Sequence, residues 1–234
     1  MGQKVWRYGG VLLGVILILS IVRPYRVSDI SMNYSLMDGD WVWVENFTAG
    51  IHIPSFGFFV DRHLWSRERG IKRGDILAFH YPLERHGRLY LKRCVALPGD
   101  RVMERNKNFY LQIGGEDGRT RAYALRYHLP LRFLEGRWWL ENPYAHVYPV
   151  VHDSRVVGPS ELIDYPPTLI APHRYFMMGD YRDNSTDSRF FGPVAYDWIY
   201  YRVFWVWRRS RPLEALLGIR HFDPKSPTAV LKKY

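Results

Sequence analysis

The chain has 234 residues, of which 47% are hydrophobic and 16% aromatic, which excludes a disordered chain and allows one large domain or a core with an inserted lobe. Lysine and arginine outnumber acidic residues 33 to 23, and the resulting +10 suits an anionic surface but by itself equally describes a solvated face. The single cysteine, Cys94, excludes an intrachain disulfide and a cysteine-only metal site, and the histidines are scattered, so no cofactor is expected.

From the N-terminus, Tyr8 to Val22 is an unbroken weakly polar to apolar run, flanked by Lys4 and Arg7 on one side and Arg23 and Arg26 on the other. At 1.5 Å per residue it reaches about 22 Å against a hydrocarbon core of roughly 30 Å. Trp6, Tyr8 and Tyr25 at the two interfaces and snorkelling arginines would complete a short membrane anchor. A signal-peptide h-region has the same length, although no Ala-x-Ala-like site follows.

Beyond Pro24, the segment to Asp40 and the alternating Trp41-Val42-Trp43-Val44 read as strand, exposed turn and strand, with Ser31 at the mouth of the turn. A serine there is an ordinary turn residue or a nucleophile. From Phe47 to Trp65 the chain is rich in Phe, Ile, Trp and Pro, which suits either bilayer contact near Phe56 to Phe59 or packing under the core. Arg73-Gly74-Asp75 opens a strand from Ile76 to Tyr81, closed by Pro82, and a polar turn leads from it into Leu89 to Ala96. These two segments are expected to form a hairpin.

Lys92 lies inside the second of them. A strand lysine normally marks an exposed edge; the alternative is a buried amine whose charged form is disfavoured, which would make it a general base near neutral pH. The stretch from Asn106 to Thr168 is broken by glycines and prolines and reads as a β-rich or irregular insertion with its own small core. His152-Asp153-Ser154 within it is a tripeptide, and triad members meet in space rather than in sequence. The strand Tyr175 to Met178 then runs into a polar stretch in which Arg182 and Arg189 can pair with Asp180, Asp183 or Asp187. Trp198 to Trp207 contains Arg202, is too short to span a membrane and reads as a strand.

Four stretches, in order, resemble the motif boxes of the type I signal peptidases, membrane-anchored Ser/Lys proteases that remove leader peptides from exported proteins. Ser31-Met32 with Ser35-Leu36 and Gly39-Asp40 resembles the nucleophile box, and Arg73-Gly74-Asp75-Ile76 the next strand box. Lys92-Arg93 with Leu97-Pro98-Gly99-Asp100 resembles the lysine box. Gly179-Asp180, Arg182-Asp183-Asn184-Ser185, Asp187-Ser188-Arg189 and Gly192 resemble the last, which is the longest and most specific.

The resemblance implies a mainly β fold: a signal-peptidase-like antiparallel β catalytic core with an inserted β-rich lobe and one N-terminal transmembrane helix. The divisions expected are an anchor over 1–24, a catalytic core over 25–105 and 171–210, a lobe over 106–170 and a C-terminal tail over 211–234. It further implies Ser31 as nucleophile and Lys92 as general base, with Ser185 holding the lysine amine and Asp187 and Arg189 pairing to shape the loop. Substrate would lie extended beside Tyr25, Val27, Met32, Tyr90 and Leu91, with small residues before the cut. The partners implied are signal-peptide-bearing preproteins and membrane phospholipid, not nucleic acid. The place implied is the outer, periplasmic side of a bacterial inner membrane, reached by a single-pass anchor.

The chain departs from the family pattern at Tyr34, Ala96, Tyr181 and Asp29. Asp29 matters most. It stands two residues before Ser31, where Gram-negative members often place a serine that helps bind the oxyanion, and an ionised carboxylate accepts hydrogen bonds without donating them. It should therefore point away, be protonated or weaken catalysis, and Ser28 could substitute only in a rearranged turn. A specialised peptidase for a narrow client, such as a pilin-like or conjugation precursor, is one alternative. A non-catalytic, membrane-anchored binding module is the other.

Overall fold

A computed structural model of the chain describes residues 21–33, 35–48, 50–53, 62–66, 68–80, 89–145, 147, 148, 150 and 164–208. Most of the expected anchor, Tyr34, the Phe56 to Phe59 segment, His152-Asp153-Ser154 and the tail lie outside these residues.

In chain order the first strands are β1 (Val22–Arg26), β2 (Trp41–Glu45), β3 (Gly50–Ile53), β4 (Arg62–Ser66), β5 (Ile76–His80) and β6 (Leu89–Ala96). There follow β7 (Arg101–Arg105), β8 (Asn108–Gln112), helix α1 (Asp117–Tyr127), β9 (Leu131–Leu134) and β10 (Arg137–Glu141). The last are β11 (Tyr165–Leu169), β12 (Arg174–Met178), the short helix α2 (Ser188–Phe191), β13 (Val194–Ala195) and β14 (Ile199–Trp207). All paired strands run antiparallel.

A seven-stranded sheet takes the order β1-β2-β14-β5-β6-β12-β13, a five-stranded sheet the order β11-β7-β8-β10-β9, and β3 pairs with β4 alone. The expected hairpin is present, with Leu77 opposite Lys92 and Ile76 opposite Arg93. Two edges matter for the site. Among the described residues β1 pairs only with β2, so its outer edge is unpaired in the sheet. Among the same residues β12 covers β6 only over Arg93 to Ala96, which leaves the Leu89 to Lys92 half without a second strand neighbour.

Two expectations about organisation change. β1 begins at Val22, so the last residues assigned to the anchor are strand, and among the described residues no helix is long and apolar enough to cross a membrane. Sheet membership changes at the Leu97 to Asp100 turn rather than after residue 105. Gly99 supplies a φ of 85° there, and the Leu97 N–H bonds the Asp100 carboxylate at 2.8 Å, so β7 starts the five-stranded sheet. The small sheet has a small buried cluster of its own, Met103, Tyr110 and Trp139, but shares its larger one. Val95, Phe176 and Met178 of the large sheet pack in one buried cluster with Val102, Phe109, Leu111 and Leu140 of the small one. Burying each such large apolar side chain contributes roughly 1.5–3 kcal/mol, so the two sheets are stabilised jointly.

Helix α1 interrupts the lobe's strands. It buries only Thr120 and Ala124, one turn apart, which is why its sequence shows no apolar stripe.

Candidate active site

The turn that carries Ser31 is held from below. Val27 N–H bonds the Asp40 carbonyl at 2.8 Å and Gly39 N–H returns to the Val27 carbonyl at 2.9 Å, closing a loop whose interior is one helical turn with Leu36 N–H on the Met32 carbonyl at 2.8 Å. Met32 and Leu36 on that turn are buried in a cluster with Val42, Val44, Ile76 and Ala78. Apolar side chains therefore anchor the segment and leave Ser31 between them and the polar loop after β12.

Strand β6 delivers Lys92 to the same point. Its side chain is 1% exposed, and its Nζ lies 2.5 Å from Ser31 Oγ. The buried reading of the strand lysine is the one realised, against the edge reading. Burial pushes its pKa down, opposed by the nearby Asp29, Asp187 and Asp180 carboxylates. A lysine in hydrogen-bond reach of a serine hydroxyl, with its charged form disfavoured, can take that hydroxyl's proton.

Asp29 does not point away. Its Oδ2 accepts from Ser31 Oγ at 2.7 Å and lies 3.6 Å from Lys92 Nζ, and its Oδ1 accepts from the Ser31 backbone N–H at 3.3 Å. Nor is it held protonated. Burial alone would raise its pKa, but the Ser31 hydrogen bond and Lys92 outweigh this and hold the carboxyl below its ordinary range.

The loop after β12 forms the rear wall. Asp187 accepts from the Gly179 N–H at 3.0 Å and from Arg189 Nε and a terminal nitrogen, each at 2.9 Å. The Asp187–Arg189 pair is thus present, and it keeps the Asp187 carboxyl depressed despite complete burial. Arg182 pairs with no carboxylate in this wall and donates instead to the Gly179 carbonyl at 3.1 Å. Tyr181 N–H bonds the Ser31 carbonyl at 3.0 Å, tying the wall to the nucleophile turn.

Ser185 does not touch the lysine amine in this arrangement. Its hydroxyl is buried and has no hydrogen-bond partner among the described residues, while the lysine amine is engaged by Ser31 and lies beside Asp29. It is nonetheless close. A Cβ on Gly179 would lie 2.3 Å from Ser185 Oγ and 2.5 Å from the Ser31 carbonyl oxygen, so these two oxygens lie within 4.8 Å of each other.

Arg93, Ser35 and Glu104 have no role in the sequence reading, and Asp180 figures there only as a candidate partner for Arg182 or Arg189. Arg93 is fully buried and grips Asp180 through two nitrogens at 2.8 and 2.5 Å, the Gly74 carbonyl at 2.7 Å and Ser35 Oγ at 3.1 Å, with its guanidinium 3.6 Å from the centre of the Tyr148 ring. Ser35 Oγ also donates to Asp180 at 2.5 Å. The available signal was a second consecutive charge in a buried strand. Glu104 reaches Arg189 from the other sheet at 3.4 Å, and nothing in its local sequence marks it.

A cleft of about 800 Å³ opens in front, lined by Tyr25, Val27, Ser31, Met32, Tyr90, Leu91 and Lys92 among others. All five residues expected to touch substrate line it. Val27 and Met32 are also core residues, 4% and 2% exposed, so they contribute floor rather than reach. Asn184 and Thr186 from the polar loop complete the lining. Among the described residues no group of His, Cys, Asp or Glu could hold a metal ion.

Comparison with known proteins agrees with the chemistry these residues suggest. The family described as "Signal peptidase, peptidase S26" matches residues 7–208. Signal peptidase I of Helicobacter pylori strain J99 is 29% identical over 222 residues, covering 80% of this chain and 75% of that protein. Signal peptidase I of Pseudomonas aeruginosa is 31% identical over 188 residues, covering 76% of this chain and 59% of that protein. The crystal structure of a signal peptidase I from Enterococcus faecalis superposes with a TM-score of 0.31 at 25% identity, covering 55% of this chain and 92% of that one. With the family match running through both sheets and through Ser31 and Lys92, the chain belongs to the signal peptidase family, peptidase S26, and is a serine endopeptidase.

Proposed function

We propose that the chain removes N-terminal signal peptides from exported preproteins by a Ser31/Lys92 dyad, cutting after small residues in an Ala-x-Ala type of site. The observation that carries this is the 2.5 Å approach of a buried lysine amine to the hydroxyl of Ser31. Lys92 takes the Ser31 proton, Ser31 Oγ attacks the scissile carbonyl, and the proton passes to the leaving amine. Water then hydrolyses the acyl-enzyme, with Lys92 again accepting a proton. The Ser31 N–H is a donor for the oxyanion. Asp187 and Arg189 shape the wall behind the dyad.

The unpaired outer edge of β1 and the N-terminal half of β6 both line the cleft, which supports a substrate bound as an extended strand between them. Tyr25, Tyr90 and Leu91 would flank it, over a floor of Val27 and Met32, and a confined floor favours small side chains next to the cut. The catalytic body works at the outer face of a bacterial inner membrane, next to phospholipid, and the run from Tyr8 to Val22 serves as anchor in this reading, fraying into β1 at its end. Asp29 favours a second reading of the client range: its charge beside the nucleophile suits a peptidase specialised for one precursor type.

The test is cleavage of a preprotein carrying an Ala-x-Ala site by the full chain in detergent with phospholipid, beside Ser31→Ala and Lys92→Met. Cleavage at that site, lost in both folded variants and rising with pH as a base of lowered lysine pKa deprotonates, is the expected result. Retained cleavage by either variant would remove the dyad assignment.

A further inference from the structure

The hydrogen bonds around Ser31 Oγ run the wrong way for attack. Asp29, held ionised, can only accept, so the Ser31 hydroxyl proton must lie toward Asp29 Oδ2 at 2.7 Å. A serine hydroxyl has one proton. Lys92, 2.5 Å from the same oxygen, must then donate to it. A general base has to accept that proton instead. At the same time the Ser31 N–H, the donor an oxyanion needs, is occupied by Asp29 Oδ1 at 3.3 Å. One carboxylate engages the nucleophile, the base and the oxyanion donor together.

We infer that Asp29 is a positioning residue that holds Ser31 and Lys92 in a resting arrangement, opened when a substrate carbonyl takes the Ser31 N–H and the Asp29 carboxylate swings into solvent. The inference rests on the reading of Ser31 and Lys92 as nucleophile and base. The surroundings of Lys92 single out Asp29 for this role. From its own strand the amine faces the Tyr90 ring at 5.5 Å. From the rear loop it feels Asp180 and Asp187, each already gripped by a buried guanidinium, Arg93 and Arg189. From the β1 side it meets Asp29, with Arg26 also in the cleft wall. The partners of Asp29 are the reacting groups themselves, and its side chain is 59% exposed, so it has room to swing into solvent.

The competing role, Asp29 as the base in place of Lys92, is opposed by its surroundings: the Ser31 hydrogen bond and Lys92 hold the carboxyl below its ordinary range, which makes it a weaker acceptor than an amine in the same position.

The experiment compares the parent full chain with Asp29→Asn and Asp29→Ser in detergent with phospholipid. It reads the pH profile of preprotein cleavage and, separately, the NMR titration of Lys92 in ε-13C-lysine-labelled protein, assigned by the signal missing in Lys92→Arg. Removing the carboxylate charge disfavours the ammonium, so the Lys92 titration and the acid limb of cleavage should both move to lower pH. Cleavage on that limb should be about three- to tenfold faster than in the parent, because a single charge step moves a rate governed by base ionisation by up to about one decade. If Asp29→Asn slows cleavage at every pH, or leaves the Lys92 titration where it was, the inference is overturned. Should parent and Asn variant both fail to cleave, the dyad reading fails, while the direction of the Lys92 titration still decides whether Asp29 holds the amine.

Discussion

The two sides of the Ser31–Lys92 pair are built on opposite principles. Behind it, Asp180 and Asp187 are fully buried, and each is satisfied by a guanidinium and by further polar groups: Ser35 for Asp180, and the Gly179 N–H for Asp187. In front, Asp29 is more than half exposed, and its side-chain partners are Ser31 and Lys92. The difference teaches that charge near a buried lysine has two uses. Buried and paired, it fixes geometry at a high price in desolvation; exposed and engaged with the reacting atoms, it sets a state that can change.

The largest effect should come from breaking the rear wall. Arg93→Met strands the Asp180 carboxylate with no guanidinium at full burial, and loss of one partner of a buried pair destabilises by about 3–5 kcal/mol. Urea unfolding of the variant against the parent measures it. A loss below about 1 kcal/mol would mean that the wall is far more plastic than its hydrogen bonds imply.

Next comes the link between the sheets. Burial pushes the Glu104 carboxyl up to about 7 from an ordinary 4.5, against the pull of Arg189. The folded state therefore binds a proton at pH values where the unfolded chain has released it. This contribution is complete below pH 4.5 and is lost as pH rises toward 7; for a shift from 4.5 to about 7 it is on the order of 3 kcal/mol at most. Glu104→Gln should remove that fall from the stability profile between these limits, and an unchanged slope would show that Arg189 keeps Glu104 ionised.

Gly179 tests how closely the wall must approach the nucleophile. A methyl group there would sit 2.3 Å from Ser185 Oγ and 2.5 Å from the backbone oxygen of Ser31, which cannot rotate away. Gly179→Ala should cost about 1–3 kcal/mol by overpacking, and displacement of Ser31 should lower cleavage further than stability alone predicts. Cleavage rates at a temperature where both proteins are fully folded separate the two effects.

Much of this arrangement was legible in the sequence, for identifiable reasons. The β5–β6 hairpin was legible because its apolar runs are punctuated by Arg73-Gly74-Asp75 and a polar turn, and the joining of Ser31 with Lys92 because both lie in motif-like boxes of specific composition. The Asp187–Arg189 pair is local in sequence and follows from the same box. What was illegible is long-range or small. Glu104 meets Arg189 across 85 positions, Arg93 meets Asp180 across 87, and no pattern within either segment names the partner. Helix α1 presents only Thr120 and Ala124 to the core, too little apolar surface to print a period. The posture of Asp29 depended on whether its carboxylate or a rearranged turn met the Ser31 N–H, which residue types two apart do not decide.

The smallest effect belongs to an ion pair of the same formal charges as the rear wall. Glu116 and Arg119 approach to 2.8 Å at the start of α1, but their side chains are 57% and 65% exposed. Water already solvates both charges, and holding two long side chains in one geometry offsets much of the modest attraction. Arg119→Gln should therefore shift stability by no more than about 0.5 kcal/mol, less at high salt. Urea unfolding at two ionic strengths measures this against Arg93→Met in the same buffer. A loss for Arg119→Gln that approached the Arg93 value, or that persisted undiminished at high salt, would mean that burial does not separate the two classes of charge in this fold. The contrast drawn between the rear wall and Asp29 would then lose its physical basis.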